Sequence, residues 1–293
     1  MPSATPSQKS VLVTGCSAGG IGSSLALSFA TRDHLVFATA RNVSKISPSL
    51  AAHPNVRVLT LDTTSSASIT AAVEEVGKVT GGTLNYLVNN AGQGLVSPFL
   101  DTDMQKARDL FEVNFWGVLG CIQGFKKLLV EGRGCVVNVA SISAVAMNPY
   151  ESIYNASKAA LAHFTSTISI ELRPLGVTTV TVMAGMVQSV WYSNSVPPFV
   201  LPEDSYYRPV VDAINDGLQG ADNKKNGMDV DIFAENVVKQ VVRGQRGRIW
   251  AGALSGLVKW TTAWMPGWVL EKICWDRGNL GKLASERKKA EKA

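Results

Sequence analysis

Short apolar runs alternate with longer amphipathic stretches along most of this chain, and this alternation limits the possible folds more than any other feature. Helical patterns cover residues 66–80 and 102–130, and a helix is predicted from Tyr150 to Leu172, ahead of Pro174 and Gly176. Such alternation predicts parallel strands joined by right-handed crossovers, because continuously apolar strands must be covered on both faces. The predicted fold class is therefore α/β, a doubly wound parallel sheet with helices on both faces. The six predicted strands are SVLVTG, HLVFATA, NVRVLTLD, LNYLVNNAG, GCVVNVAS and GVTTVTVMAG.

Length and composition favour one domain. The chain has 293 residues, of which 46% are apolar and 17% charged, and these values exclude a disordered chain. We expect a flexible N-terminus at 1–9, a single domain at 10–281 and a basic tail at 282–293. Within the domain, residues 186–231 look irregular, and loops of that length are usually functional. Residues 249–276 form an aromatic segment with five of the seven tryptophans.

The net charge of +5 is concentrated in the tail, which predicts either an ordinary solvated end or attraction to an anionic membrane. The sequence has no zinc-ligand spacing, no RNA-binding aromatic signature and no basic helix, so we expect neither a metal nor a nucleic acid partner. Four separated cysteines and a polar N-terminus predict an intracellular, cytoplasmic protein with reduced thiols. The apolar runs near the C-terminus are too short to span a bilayer.

The stretch VLVTGCSAGGIG at residues 11–22 places four glycines directly after the first predicted strand. Gly15 ends that strand, and Gly20 and Gly22 open the helix that follows. Backbone without a Cβ lets amide N–H groups at a helix N-terminus approach phosphate oxygens. Thr14 or Ser17 can fix the turn by side-chain hydrogen bonds. By itself, this loop leaves a nucleotide site and a purely structural turn equally open.

Three more motifs follow in order. NNAG at residues 89–92 ends the fourth strand, Ser141 ends the fifth, and YNASK places Tyr154 and Lys158 one helical turn apart. Together with Asn114 and the glycine loop, they resemble the short-chain dehydrogenase/reductase family over about residues 10 to 190. The resemblance implies a Rossmann-type sheet, a nicotinamide cofactor and a homo-oligomer, either a dimer or a tetramer. One additional residue between Gly15 and Gly20 departs from the usual family spacing.

The resemblance also implies the positions that would contact the cofactor. The second strand ends in FATARN without the carboxylate that binds the ribose in NAD-preferring folds, and Arg41 could instead pair with a 2′-phosphate. We therefore expect NADPH, although Arg41 could also be an ordinary solvated side chain. After the sixth strand the usual Pro-Gly and Thr are replaced by Ala184-Gly185 and Ser189. The expected cofactor contacts are Gly15, Ser17, Gly20, Ile21, Gly22, Arg41, Asp62, Asn90, Gly92, Tyr154, Lys158, Val187 and Ser189.

Carbonyl reduction needs a proton donor beside the developing alkoxide. Tyr154 can supply this proton, and a cation at Lys158 would bring its pKa closer to neutrality. By resemblance, Ser141 would orient the carbonyl oxygen, and Asn114 would hold a water that links the lysine to solvent. The alternatives are a chance Tyr-Lys pair on one helix and a serine that merely caps a helix.

Aromatic residues in the irregular segment suit a bulky apolar or aromatic ketone, and Trp191, Tyr192 and Phe199 are the candidate substrate contacts. They could equally pack together as a lid. The C-terminal segment resembles that of fungal acyldihydroxyacetone-phosphate reductases, which implies peripheral contact with an endoplasmic reticulum or lipid-droplet membrane. A subunit interface and a substrate wall remain open for it.

Two functions follow from these expectations. The first is an NADPH-dependent ketoreductase, acting on an acyl-ketone lipid or a polyketide-like intermediate of secondary metabolism. The second is a reductase fold that serves as a cyclase, an isomerase or a non-catalytic scaffold. The four candidate catalytic residues Asn114, Ser141, Tyr154 and Lys158 favour the first.

Overall fold

The computed structural model describes residues 8–196 and 199–292. Within this part of the chain, seven strands form one parallel sheet, which confirms the predicted fold class. The strands are β1 Ser10–Val13, β2 Leu35–Ala40, β3 Val56–Thr60, β4 Tyr86–Asn89, β5 Cys135–Val139, β6 Thr178–Ala184, β7 Val187–Gln188, β8 Met228–Asp229 and β9 Gly247–Ala251. The sheet order is β3-β2-β1-β4-β5-β6-β9, and β7 pairs with β8 separately.

Several helices begin where a side chain accepts a backbone N–H. Ser65 accepts from the Ser68 N–H at the start of α3, and Asp103 accepts from the Gln105 N–H at the start of α4. A π-helical segment, Glu112–Trp116, joins α4 to α5. The helices are α1 Ile21–Ala30, α2 Pro48–Ala51, α3 Ser66–Thr80, α4 Met104–Phe111, α5 Gly117–Gly124, α6 Lys126–Glu131, α7 Ser152–Leu172, α8 Trp191–Ser195, α9 Val211–Gln219, α10 Ala221–Asn226, α11 Val230–Val242, α12 Ser255–Trp264, α13 Gly267–Arg277 and α14 Leu280–Ala290.

The sheet separates two apolar layers. In β1, Val11 and Val13 pack on the layer that includes Phe233 of α11, whereas Leu12 packs on the layer that includes Leu161 of α7. The side chains of all four β1 residues are buried. The continuous apolar character of the strand therefore follows from its burial on both faces.

The position of β1 between β2 and β4 creates the site. Helix α1 follows β1 and packs in one apolar layer, whereas α5, which lies beyond β4 in the chain, packs in the other. The connections after these two neighbouring strands thus leave on opposite faces of the sheet. Such a switch point opens a crevice outside the carboxyl ends of parallel strands.

The structure corrects the predicted number of strands. The sequence predicted six, and the seventh, β9, lies partly in the segment that was predicted only as aromatic. It pairs in parallel with β6, where Val182 lies opposite Ile249. The run is short and continues directly into the aromatic stretch, so local periodicity did not distinguish it.

Two helical predictions also need correction. Residues 102–130 were predicted as one helix, but the structure divides them into α4, the π-helical segment, α5 and α6. The predicted irregular segment 186–231 contains α8, α9, α10 and the β7–β8 pair, while Pro197 and Pro198 lie outside the described residues. Most of the predicted basic tail is helical in α14, and the predicted flexible N-terminus lies largely outside the described residues.

The glycine loop allows a direct test of this packing. A Cβ added to Gly22 would lie 2.4 Å from Asn90 Nδ2 and 2.4 Å from the Gly15 carbonyl oxygen. We expect Gly22→Ala to lower the free energy of unfolding by about 1–3 kcal/mol, because the Gly15 backbone and the Asn90 side chain hydrogen-bonded to it must shift. Chemical denaturation measures this change.

Gly256→Ala in α12 is the matched control, because no neighbouring atom lies within 4 Å of an added Cβ there. Its free energy of unfolding should stay the same or rise by up to about 1 kcal/mol from helix propensity. An equal loss of stability in both variants would contradict the packing argument.

Candidate active site

A cleft of about 900 Å³ opens where β1, β4, β5 and β6 end. It brings together most of the predicted site residues, which come from separate parts of the chain. Gly22 and Asn114 are buried beside the cleft lining, and Phe199 lies in a separate small cavity. The predicted residues that line the cleft are Gly15, Ser17, Gly20, Ile21, Arg41, Asp62, Asn90, Gly92, Ser141, Tyr154, Lys158, Val187, Ser189, Trp191 and Tyr192.

The glycine loop approaches its neighbours too closely for side chains. Gly15 has a φ of +75°, and an added Cβ would lie 2.9 Å from the Ala91 Cα atom. Gly19, which lies in the stretch with one residue more than the usual spacing, has a φ of +70° and faces Val190. Gly20 caps α1 through its backbone, so the helix N-terminus faces the cleft without a side chain in front of it. This cradle fits a phosphate group.

Thr14 ties the glycine loop to the end of β4. Its Oγ1 accepts hydrogen bonds from the N–H groups of Asn90 and Ala91, each at 2.9 Å. The Asn90 side chain bonds in the opposite direction, because its Nδ2 donates to the carbonyl oxygens of Thr14 at 2.9 Å and Gly15 at 3.2 Å. The two loops on either side of the crevice therefore hold each other in place.

The far end of the cleft carries cations beside the end of β2. Arg41 follows this strand directly and lines the cleft. Lys45, which was not predicted as a site residue, also lines the cleft. Asp62 also lies here, but its Oδ1 already accepts from the Thr64 N–H at 3.0 Å and the Thr64 hydroxyl at 2.8 Å. This end therefore suits a group with additional negative charge.

Tyr154 and Lys158 share one face of α7, as predicted. The Lys158 Nζ lies 5.9 Å from the centroid of the Tyr154 ring and donates to the Val139 carbonyl oxygen at 3.0 Å. Ser141 lines the same part of the cleft from the end of β5, where its Oγ accepts from the Ser143 N–H at 3.1 Å and its side chain lowers the pKa of Tyr154. A phenol, a hydroxyl and an ammonium group thus converge on one place in the cleft.

Burial determines the protonation of both groups on α7. It raises the pKa of Tyr154 above its usual value, the charge of Glu151 raises it further, and the Ser141 hydrogen bond lowers it. Burial lowers the pKa of Lys158 to about 8. At neutral pH the structure therefore holds a protonated phenol next to a largely protonated lysine.

Asn114 lies in the π-helical segment and has no exposed surface. Its Nδ2 donates to the Gln93 carbonyl oxygen at 2.9 Å and to the Ser157 hydroxyl at 3.1 Å, and its Oδ1 accepts from the Gln93 N–H at 2.8 Å. An added Cβ on Gly92 would lie 3.3 Å from Asn114 Oδ1 and 3.5 Å from Lys158 Nζ. The asparagine thus fixes the loop after β4 beside the lysine.

The turn after β6 has Ala184-Gly185 in place of the usual Pro-Gly, and its packing requires the glycine. A Cβ on Gly185 would lie 2.2 Å from the Ala253 carbonyl oxygen, so this position tolerates only glycine. Val187 follows in β7, and Ser189 Oγ accepts from the Trp191 N–H at 3.4 Å. Both residues line the cleft.

Two of the three predicted aromatic contacts, Trp191 and Tyr192, lie beside Tyr154. The Trp191 ring lies 5.5 Å from the Tyr154 ring and 4.9 Å from the Tyr192 ring, measured between centroids. Phe199 is different, because it lines the small cavity with residues such as Asp101 and Pro202. The structure therefore does not bring Phe199 to the main cleft.

Several polar residues that line the cleft with Tyr154 were not predicted from the sequence. Glu151 lies three residues before Tyr154, and this helical spacing could have identified it. Asn148 also lines the cleft, and Asp222 and Arg277 form an ion pair of 2.7 Å at its rim. The last two are distant in sequence, so no local signal could have placed them here.

The C-terminal aromatic segment divides between cleft and surface. Leu254 and Val258 line the cleft, whereas Trp260, Trp264 and Trp268 are 63%, 76% and 72% exposed. In the described part of the chain, no helix is both long and apolar enough to cross a membrane. The membrane, interface and substrate-wall roles of this segment stay predictions.

Comparison with known proteins agrees with this geometry. A family model described as short chain dehydrogenase matches residues 9–197. A short-chain dehydrogenase, PC-15, of Penicillium crustosum is 41% identical over 88% of this chain and 94% of its own length. An NADPH-dependent 1-acyldihydroxyacetone phosphate reductase of Schizosaccharomyces pombe is 35% identical over 85% of this chain and 87% of its own. A solved short-chain dehydrogenase from Streptomyces avermitilis has a TM-score of 0.78 at 24% identity, covering 95% of this chain and 99% of its own.

The chain belongs to the short-chain dehydrogenase/reductase family, as the resemblance implied. Members of this family are oxidoreductases that use a nicotinamide cofactor. The glycine cradle and the phenol, hydroxyl and ammonium groups fit such a cofactor along the cleft. The family and the fold are thus established, while the individual residue roles remain predictions.

The lowered pKa of Lys158 predicts a pH-dependent stability. An unfolded lysine has its ordinary pKa of 10.5, so between about pH 8 and 10.5 the unfolded chain binds more protons at this residue. This residue therefore makes the protein more stable as pH rises through that interval. In the absence of cofactor, we compare the free energy of unfolding of wild type with that of Lys158→Met. We expect this difference to shift by about 1–3 kcal/mol in favour of wild type as the pH rises from about 8 to 10.5.

Urea denaturation at pH 7.5, 9 and 10.5 measures this difference. Lys127→Met, which removes an exposed lysine on α6, is the control and should show no comparable pH dependence relative to wild type. A constant difference between wild type and Lys158→Met at all three pH values would contradict the argument.

Proposed function

We propose that this chain is an NADPH-dependent ketoreductase that reduces the carbonyl group of a bulky apolar or aromatic ketone. The observation that carries the proposal is the convergence of Ser141, Tyr154 and Lys158 on one wall of the cleft. These groups can hold a carbonyl oxygen and deliver a proton to it. The aromatic rings of Trp191 and Tyr192 beside them suit an apolar substrate.

Gly15, Gly20 and Arg41 would hold NADPH in the cleft, and the cofactor would supply a hydride to the carbonyl carbon when bound. The hydroxyl groups of Ser141 and Tyr154 donate hydrogen bonds to the carbonyl oxygen and orient it. As negative charge develops on this oxygen, Tyr154 Oη transfers its proton to it. The positive charge of Lys158 stabilises the phenolate that remains. Asn114 holds the loop beside Lys158 in place through its bonds to Gln93.

The preference for NADPH rests on charge at the far end of the cleft. Arg41 and Lys45 line this end, and the segment between β2 and β3 contains no Asp or Glu. A guanidinium group pairs well with a phosphate monoester because it can donate two parallel hydrogen bonds. The name of the Schizosaccharomyces relative, which includes NADPH, also supports this preference.

The alternative is a cyclase, an isomerase or a scaffold built on the same fold. A scaffold would not require a phenol and a buried lysine with a pKa lowered to about 8 in the same cleft. A cyclase or isomerase could use these groups without consuming the cofactor. Product analysis in the presence of NADPH distinguishes it from the reductase.

Tyr154→Phe removes the proposed proton donor and keeps the ring that packs against Trp191. We expect kcat for NADPH oxidation with a reactive ketone to fall about 10²- to 10⁴-fold, because general acid catalysis contributes this much. The absorbance of NADPH measures this rate. Tyr86→Phe is the control, since this tyrosine lies at the start of β4 away from the cleft. Full activity of Tyr154→Phe would refute the proton transfer.

Arg41→Ala tests the cofactor preference. Losing a charged hydrogen bond of about 1.5–3 kcal/mol should weaken NADPH binding roughly 10- to 100-fold. NADH binding should not change, because NADH lacks the 2′-phosphate. Fluorescence titration with both cofactors measures the effect, and the exposed Arg108→Ala on α4 serves as a charge-matched control. An equal loss for both cofactors would argue against a 2′-phosphate contact.

A further inference from the structure

The substrate end of the cleft, beyond Tyr154, has an acidic lining. Glu151, Asp216 and Asp222 line it, together with one cation, Arg277. Lys224 and Lys225 lie nearby on α10, and both are exposed and outside the cleft lining. Three carboxylates against one guanidinium give this end a net negative charge.

Arg277 is already engaged. Its Nη2 lies 2.7 Å from Asp222 Oδ2, and this pair joins α13 to α10 at the rim. Both side chains are about half exposed, at 50% and 60%, so solvent screens the pair. The charge of Arg277 is therefore balanced by that of Asp222. Among the described residues at this end of the cleft, the negative charges of Glu151 and Asp216 have no balancing cation.

Glu151 lies deepest among these acids. It occupies the N-cap position of α7, yet its side chain makes no capping hydrogen bond. Asn148 Nδ2 donates to Glu151 Oε2 at 3.3 Å, and in the described part of the chain no cation approaches it as a salt bridge. One carboxylate oxygen, Oε1, is thus left to accept a hydrogen bond from a ligand.

The electrostatics agree with this position. Burial raises the pKa of Glu151 to about 6, although the Asn148 hydrogen bond and the charge of Arg277 both lower it. The carboxyl group is therefore largely ionised at neutral pH. Its charge also raises the pKa of Tyr154, which places Glu151 within electrostatic range of the proposed reaction centre.

We propose that Glu151 determines substrate specificity by accepting a hydrogen bond from a hydroxyl group close to the ketone, and that this acidic end disfavours a phosphorylated ketone. The inference rests on the proposed reductase function and names its substrate class. A carboxylate accepts from a hydroxyl but repels a phosphate at short range. The Schizosaccharomyces relative is named for a phosphorylated ketone, so this chain would differ from it in substrate.

Three ketones with one acyl chain separate the effects: 1-acyl-dihydroxyacetone, its 3-deoxy analogue and its 3-phosphate. Calorimetry measures their affinity for the complex with NADP⁺, which cannot reduce them. We expect the hydroxyl compound to bind at least tenfold more tightly than the phosphate and at least threefold more tightly than the deoxy analogue. Glu151→Gln should reduce the preference over the phosphate at least threefold.

Asp212→Asn is the matched control, because it removes an exposed carboxylate of α9 that lies outside the cleft lining. It should leave all three affinities unchanged. If Glu151 had only a structural role, Glu151→Gln would change the three affinities by the same factor. That outcome would overturn the proposal. Equal or tighter binding of the phosphate in wild type, lost in Arg277→Met, would show that Arg277 recruits it and would also overturn the proposal.

The two proposals fail in different ways. If none of the ketones binds, the assigned substrate class is wrong. If the hydroxyl compound binds with the expected preference but NADPH is not oxidised when it replaces NADP⁺, the reductase function fails while the selectivity of Glu151 stands.

Discussion

The hydrogen bonds between Thr14 and Asn90 connect the two loops on which the rest of the site depends. These loops follow β1 and β4, at the point where the chain leaves the sheet on opposite faces. The pairing of β1 with β4 ends at Val13 and Val88, and these hydrogen bonds continue the connection into the loops beyond the strands. Glycines at positions 15 and 22 let the backbones approach closely enough for the link to form, and the same absence of Cβ atoms leaves room for a phosphate.

A network of buried hydrogen bonds supports the wall of the cleft that carries Tyr154 and Lys158. Asn114 bonds to Gln93 and Ser157, and Lys158 bonds to the Val139 carbonyl oxygen, so three elements are tied together around α7. Buried polar groups that are fully bonded specify one arrangement, since breaking any bond leaves a costly unpaired atom. The π-helical segment is what places Asn114 in this network.

Much of the fold could be predicted from the sequence, because strand and helix periodicities are local. The α3 and α7 helices agree with the predicted ranges to within two residues, and fifteen of the predicted site residues line one cleft. The strand β9 could not be predicted, because it is stabilised by its pairing with β6 rather than by its own pattern. Phe199 failed to reach the main cleft for a related reason, since the path of a long segment depends on what it packs against.

The sequence by itself determined the parallel sheet, the glycine loop and the ordered motifs that identify the family, because each depends on neighbouring residues in the chain. Only the tertiary structure decided how the acidic end of the cleft beyond Tyr154 is built. Glu151, Asp222 and Arg277 come from the start of α7, from α10 and from α13, and they meet because these helices pack around the cleft. Charges that are far apart in sequence interact only when folding brings them within a few ångströms, so no local pattern records their sum.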